Sequence, residues 1–270
     1  MAKTFSYRNS TLAYQDEGQG YPIVFIGSFL CDRSMWKSQI EYFSPKYRCI
    51  VLEIWDHGQS GHLPTPTTTL DQLADDVWAF IEHLELNRFG FIGLSIGGMI
   101  GARLALKHPQ AVSVLGLLNT GFEEEKQEIL DTLGALLNKA GQEQTISPET
   151  VNHISFAFHT ESSFAQNALY IKQWTNGWLN ADTNRLPGIL AIGSAIFQRA
   201  SIIDQLNQLP MPTLSLTGDK DAIFPPEVAE ETAKRINGAA CVIAKDASHI
   251  SPIDQPQTVT EAIENLLAKI

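Results

Sequence analysis

A succession of short, largely apolar runs, spaced by segments of helical periodicity, restricts this chain more than any other feature. The runs are Ile23–Ile26, Cys49–Ile54, Phe89–Leu94, Val112–Leu118, Thr213–Thr217 and Ala240–Ala244. They read as strands buried on both faces. Between them, Leu70, Leu73, Val77, Phe80, Ile81 and Leu84 follow helical spacing, and Thr69 with Gln72 predicts a capping box at that helix's start. Val259, Ile263, Leu266, Leu267 and Ile270 repeat the spacing near the C-terminus. Strands of this kind separated by helices predict an α/β fold, a mostly parallel central sheet with helices on both faces. Residues 5–17 predict a leading antiparallel hairpin.

The alternation stops between about Phe122 and Asn207, where the text is helical throughout, and strand text resumes at Met211-Pro-Thr-Leu-Ser-Leu-Thr217. A helical block inserted between two strands of a parallel sheet is most simply a lid over the strands' carboxyl ends, the edge where open α/β sheets bind ligands. The expected organisation is therefore a core of residues 1–121 and 208–270 with a helical lid over 122–207.

Charge and cysteine usage remove whole classes of function. A formal net charge of −11 repels phosphate backbones and anionic lipid, so neither nucleic acid nor a membrane surface is an expected partner. Cys31, Cys49 and Cys241 have no spacing that suits a disulfide framework or a zinc site, and no metal is expected. The N-terminal stretch MAKTFSYRNSTLAY has no apolar core of a signal peptide, and no apolar run reaches the roughly 18 residues of a membrane span. The expected location is the cytoplasm.

Gly93-Leu94-Ser95-Ile96-Gly97 fits G-x-S-x-G. A predicted strand enters it and a predicted helix leaves it, the context of a nucleophile elbow. A serine hydroxyl is a poor nucleophile at neutral pH and needs a base, itself oriented by a carboxylate. On this architecture the order is Ser, then acid, then His. Gly218-Asp-Lys-Asp221 follows one late strand, and His249 lies on the loop after the last. Ser95, Asp221 and His249 are the expected catalytic residues. Asp219 competes with Asp221, but beside Gly218 it is well suited to shaping the turn. Two N–H donors are required for an oxyanion. Ile96 supplies one, directly after the nucleophile, and Phe29 of the Gly27-Ser-Phe-Leu-Cys-Asp32 loop the other, with Ser28 as the alternative. Of the remaining histidines, His57 reads as a loop residue, His62, His83 and His108 as solvated, and His153 and His159 as lid residues.

These residues resemble the α/β-hydrolase family, most of all its lid-bearing esterase and lactonase branch, which includes the oxoadipate enol-lactonases. The resemblance covers nearly the whole chain outside the lid. It rests on Ile23-Val-Phe-Ile-Gly-Ser-Phe29, Ser34-Met-Trp36, Asp56-His-Gly-Gln-Ser60, Gly93-Leu-Ser-Ile-Gly-Gly-Met-Ile-Gly101, Gly218-Asp-Lys-Asp221 and Ala247-Ser-His249. Many relatives carry His-Gly where this chain has Gly27-Ser28; the enol-lactonases also lack that pair. Relatives usually read Asp-Leu-Arg-Gly-His-Gly where this chain has Glu53-Ile-Trp-Asp-His-Gly58. Either Trp55 intrudes on the pocket or Glu53 repacks the strand end. Asn119 stands where some relatives place their acid, but an amide carries no negative charge to stabilise an imidazolium.

The resemblance implies a serine hydrolase of a carboxylic ester or lactone, an acyl-homoserine lactone or enol-lactone among the candidates, working without a cofactor. The predicted lid carries Phe156, Phe158, Phe164, Tyr170, Trp174, Trp178 and Phe197. Those facing the triad would form an apolar pocket for a small-molecule substrate with an apolar part. Trp36, Trp174 and Phe156 are the expected substrate-binding residues. The same site on the same fold also serves C–C bond hydrolysis, peracid formation and cofactor-free oxygenation, or a receptor with a vestigial triad.

Overall fold

A computed structural model describes residues 2–270, apart from the side chains of Ile129, Thr132 and Leu133. β1 (Lys3–Tyr7) and β2 (Ser10–Glu17) form the leading hairpin. Its turn residues Arg8 and Asn9 both take positive φ, 50° and 61°, the conformation that matches the twist of paired strands. β2 pairs antiparallel with β4 (Arg48–Leu52). β3 (Pro22–Ile26), β5 (Phe89–Leu94), β6 (Val112–Leu118), β7 (Thr213–Gly218) and β8 (Ala240–Ala244) continue in parallel. The sheet has eight strands in the order β1-β2-β4-β3-β5-β6-β7-β8. Parallel pairing brings the carboxyl ends of β3, β5, β6, β7 and β8 to one edge, and the candidate residues stand at that edge.

Side chains alternate between the two faces. Along β3, Val24 and Ile26 join the core beneath α2 (Leu70–His83) and α3 (Ile96–Lys107). Ile23 and Phe25 join the opposite core, under α1 (Lys37–Phe43) and α11 (Pro256–Leu267). With both faces covered, β3, β5 and β6 have no side turned to solvent, which is why their sequence reads as apolar runs; β7 carries Thr213, Ser215 and Thr217 on one face, each buried and hydrogen-bonded. Thr69 caps α2, its hydroxyl accepting the Gln72 N–H at 3.1 Å. Among the described residues the Gln72 side chain returns no bond, so the expected box is only half made.

β4 ends at Leu52, two residues before the expected Ile54, because Glu53 turns the chain. Its carboxylate accepts the N–H groups of Arg33 (3.1 Å) and Gln59 (2.8 Å) and pairs with the Arg33 guanidinium (3.0 Å). Trp55 does not intrude on the site. It is buried in the core, its indole N–H donating to Asp76 at 2.8 Å. Of the two readings of this segment, repacking is the one observed.

Between β6 and β7 lie α4 (Gln127–Glu143), α5 (Pro148–Phe158), α6 (Glu161–Gln166), α7 (Ala168–Leu179) and α8 (Leu186–Phe197). The Ser147 and Thr160 hydroxyls cap α5 and α6, each accepting an N–H at 3.2 Å. The insertion is seated by polar contacts as well as by packing. The Ile250 N–H donates to the Phe158 carbonyl (3.0 Å), and the Asn167 side chain donates to the Ile253 carbonyl (3.0 Å). α9 (Pro226–Arg235) and α10 (Ser251–Asp254) complete the helices. Among the described residues no helix is long and apolar enough to cross a membrane.

The cysteines separate by environment. Cys31 and Cys49 are buried, while Cys241 is exposed on the edge strand β8. Burial pushes the Cys49 thiol up to about 12 and raises Cys31 further. Since the thiolate is the reactive form, a thiol reagent is expected to label Cys241 alone in the native protein and all three cysteines after unfolding. A second thiol reacting at the native rate would contradict the burial of Cys31 and Cys49.

Candidate active site

β5 runs straight into Ser95, which takes φ 55° and ψ −117° before α3 begins. Such a backbone costs of order 1–3 kcal/mol and persists only where its surroundings over-determine it. Here the Ser95 N–H donates to the Leu118 carbonyl at 2.8 Å. Its carbonyl accepts the Met99 N–H (3.0 Å) and the Thr120 hydroxyl (2.8 Å). A Cβ on Gly93 would collide with the Gly97 backbone, and one on Gly97 with the Ile26 carbonyl. This pair lets β3, β5 and α3 converge around the serine. Gly98 and Gly101 lie against the side chains of Thr120 and Phe91, bringing the helix onto the sheet.

The two aspartates of the turn after β7 separate cleanly. Asp219 accepts the Asp246 N–H at 2.8 Å and ties its turn to the loop after β8. Asp221 is buried and faces His249, Oδ2 to Nδ1 at 3.1 Å. Its Oδ1 also accepts the N–H groups of Ile223 (2.9 Å) and Phe224 (3.0 Å). Its Oδ2 also accepts Asn119 Nδ2 (2.9 Å) and the Thr217 hydroxyl (3.2 Å). Burial by itself would raise this carboxyl; the His249 imidazole and the surrounding donors outweigh it and hold it below the usual carboxylate value. A carboxylate only accepts, so the proton of a neutral His249 sits on Nδ1 and Nε2 keeps its lone pair. The Ser95 hydroxyl hydrogen-bonds to no described residue, His249 included. Contacts of this kind are often long before substrate binds and tighten in the complex.

Asn119 is the residue that sequence reasoning set aside. At φ 47° and fully buried at the end of β6, its amide also donates to the Ser248 carbonyl (3.1 Å), beside His249. Its Oδ1 accepts the Ser251 hydroxyl at 2.6 Å. With Thr120 bonded to Ser95, two adjacent residues tie all three candidate segments to the end of β6. The position of Asn119 was legible in the sequence; its partners were not.

In the loop after β3, the Ser28 N–H is taken by Met35 Sδ at 3.4 Å. The N–H groups of Phe29 and Ile96 meet no acceptor among the described residues. His57, read as a loop residue, lies in the segment after β4 and is buried against that loop. Its Nδ1 donates to the Trp55 carbonyl (2.7 Å) and its Nε2 accepts the Leu30 N–H (2.9 Å). Burial holds it neutral and pushes it down to about 4, with the Trp55 carbonyl opposing. The unfolded chain takes up this proton below its ordinary value of about 6.5, and the folded chain does not until about pH 4. Stability present above the higher value is therefore lost as pH falls across that window, by about 3 kcal/mol in all. Urea unfolding of wild type and His57→Gln at pH 7 and pH 4.5 is expected to show the steeper loss in wild type. Equal losses would refute the neutral assignment.

The expected pocket residues divide. Trp174 is buried on the inner side of α7, its ring 5.7 Å from Phe158, which in turn lies 5.2 Å from His249. Phe156 does not face the site; it is 71% exposed and packs on Phe164. Two residues along a helix is a rotation of about 200°, so Phe158 takes the inward place. Trp36 is likewise corrected: it is wholly buried with Phe25 in the core beneath β3. His159, also buried, contacts Asp254 at 3.1 Å, whereas His153 is exposed. A cleft of about 490 Å³ opens beside the loop after β3, walled by Leu30, Asp32, Tyr170, Trp174, Trp178 and Arg185 among others. Ser95, Asp221 and His249 do not line it.

Residues 21–256 match the family model described as the alpha/beta hydrolase fold. The chain belongs to the α/β-hydrolase family. It is 26% identical to 3-oxoadipate enol-lactonase 2 of Acinetobacter baylyi, over 98% of this chain and 96% of that one. Among solved structures it is similar to a thermophilic esterase from Thermogutta terrifontis, with TM-score 0.86 and 28% identity over 100% and 98% of the two chains. The enol-lactonase of Burkholderia xenovorans LB400 shares the fold, with TM-score 0.88 and 24% identity over 98% and 100%. Esterases and lactonases thus stand among the relatives of this hydrolase fold.

Proposed function

We propose that this α/β-hydrolase chain is a serine hydrolase of carboxylic esters or lactones, with Ser95 as nucleophile, His249 as base and Asp221 as the orienting acid. One observation carries the reading: the strained Ser95, the buried His249–Asp221 contact and two N–H groups without acceptors stand at a single sheet edge. The names of the relatives support the ester and lactone class.

In this scheme the Ser95 oxygen attacks the substrate carbonyl carbon while His249 Nε2 takes its proton. Asp221 accepts from Nδ1, keeps the ring in the required tautomer and stabilises the imidazolium. The N–H groups of Phe29 and Ile96 receive the charge that develops on the carbonyl oxygen. His249 then protonates the departing alkoxide, and the same base draws a proton from the water that cleaves the acyl-enzyme. With a lactone the alkoxide stays tethered, and one ring-opened hydroxy acid results. The chemistry uses no cofactor. Residues 122–207 serve as the lid, and the rings of Phe158 and Phe224, 5.2 and 5.9 Å from His249, favour a substrate with an apolar part.

A pH-stat panel of lactones, matched linear esters and p-nitrophenyl esters tests the class. Each ester or lactone hydrolysed at neutral pH releases a proton, so the expected result is steady titrant uptake on at least one series. No uptake on any member would remove the reading.

A further inference from the structure

The backbone beside the candidate oxyanion donor is held in an unfavourable state by contacts that reach across the molecule. Residues Ser28 to Cys31 form a turn closed by the Cys31 N–H donating to the Ser28 carbonyl at 3.1 Å. Leu30 occupies its third position at φ 63°. That position of such a turn ordinarily takes glycine, and a branched side chain there stores strain. Three hydrogen bonds hold Leu30. Its N–H donates to His57 Nε2 at 2.9 Å. Its carbonyl accepts two indole N–H groups, Trp174 Nε1 and Trp178 Nε1, each at 2.8 Å. Both tryptophans come from α7, some 144 and 148 residues along the chain. Two donors occupy both lone pairs of one carbonyl, an arrangement far more specific than apolar packing of the same rings requires.

The turn has an obvious way to relax. Loss of the indoles frees the Leu30–Cys31 peptide, whose carbonyl they hold, and returning Leu30 to negative φ then flips the Phe29–Leu30 peptide and takes the Leu30 N–H from His57. Phe29, whose N–H is the free donor, is the residue on the other side of that peptide. Its ring is braced by His57, 5.5 Å away, and by Gly193 of α8.

We propose that Trp174 and Trp178, with His57 opposite, are positioning residues for the oxyanion donor: they latch the insertion to the Leu30 carbonyl and thereby hold the Phe29 N–H in place. Seating of the insertion and stabilisation of the tetrahedral intermediate are then one event. An insertion that lifts away releases Leu30 and dissolves the donor. The proposal rests on the reading of Ser95 as nucleophile and Phe29 as donor. It goes beyond that reading by giving these two tryptophans a task other than walling a pocket.

The test uses Trp174→Phe with Trp178→Phe in the full chain, which removes both indole donors and keeps aromatic rings. On a p-nitrophenyl ester, kcat is expected to fall about 10- to 100-fold, the cost of a displaced donor, with KM within about twofold. A trifluoromethyl ketone, which adds to the serine as a charged tetrahedral adduct, is expected to inhibit the double variant more weakly by a similar factor. Adding Leu30→Gly should restore much of both losses, because glycine holds positive φ without the latch. A rise in KM with kcat and ketone inhibition unchanged would overturn the proposal, as would losses that Leu30→Gly leaves untouched. If the double variant melts below assay temperature, Trp178→Phe alone, at the more exposed indole, is read by the same two measurements. Ser95→Ala in parallel keeps the two readings apart: activity surviving it removes the nucleophile itself, whereas an inactive Ser95→Ala with an unaffected double variant removes only the latch.

Discussion

Ser95→Ala is expected to lower kcat on a p-nitrophenyl ester by on the order of a millionfold, the loss seen when a serine nucleophile is removed from a complete triad. The folded state should barely register the change. The hydroxyl bonds to no described residue, and the strained backbone is held by its N–H on Leu118 and its carbonyl on Met99 and Thr120. Alanine keeps both groups. Steady-state turnover and a thermal melt on the same preparation check the two halves together. Turnover within tenfold of wild type would sink the nucleophile assignment. Lost turnover with a melt lowered by many degrees would instead mean that the elbow, not the chemistry, had been damaged.

The second large effect belongs to the acid. Asp221→Asn is expected to cost about ten-thousandfold in kcat, comparable to the same exchange in a serine-protease triad. The geometry adds a reason peculiar to this chain. Both carboxylate oxygens serve only as acceptors here, Oδ1 from two backbone N–H groups and Oδ2 from Asn119, Thr217 and His249. An amide in either orientation must point its NH₂ at one of these sets of donors. Stability should therefore fall with activity, by about 1–3 kcal/mol for the unmatched buried donors. Asp219→Asn supplies the contrast. Asp219 accepts one N–H, from Asp246, and the amide oxygen of asparagine can accept it equally well. Activity within about threefold of wild type is expected there. If Asp219→Asn is the damaging change and Asp221→Asn the mild one, the acid has been assigned to the wrong side of the turn.

The bearing of Asn119 on these variants shows what a reading of residue types misses. As a candidate acid it could be dismissed, since it bears no charge. As a donor to Asp221, Thr217 and the Ser248 carbonyl it organises the site. Deletion of a buried amide that serves several partners leaves each of them short of a bond.

Some things were determined along the chain itself. Strands covered on both faces must be apolar throughout, so β3, β5 and β6 are visible in the text as runs. A serine at a turn that converging backbone crowds must be flanked by glycine, so the Gly93–Gly97 elbow is visible as well. The order of serine, aspartate and histidine loops follows from the order of strands. Each of these leaves its mark as a short local pattern or as the order of such patterns along the chain.

Only tertiary structure decided the rest, because each remaining choice turned on which group the fold brings into contact. Asp219 and Asp221 are chemically identical and two residues apart; one meets the Asp246 backbone and the other His249. The Ser28 and Phe29 N–H groups are adjacent, and the sulfur of Met35 takes one and leaves the other free. Phe156 and Phe158 share a helix, yet its packing turns one outward and sets the other against His249. The two indoles on the Leu30 carbonyl come from another part of the chain altogether. A hydrogen bond needs its partner within about 3 Å, and no local pattern records which group the fold will bring there.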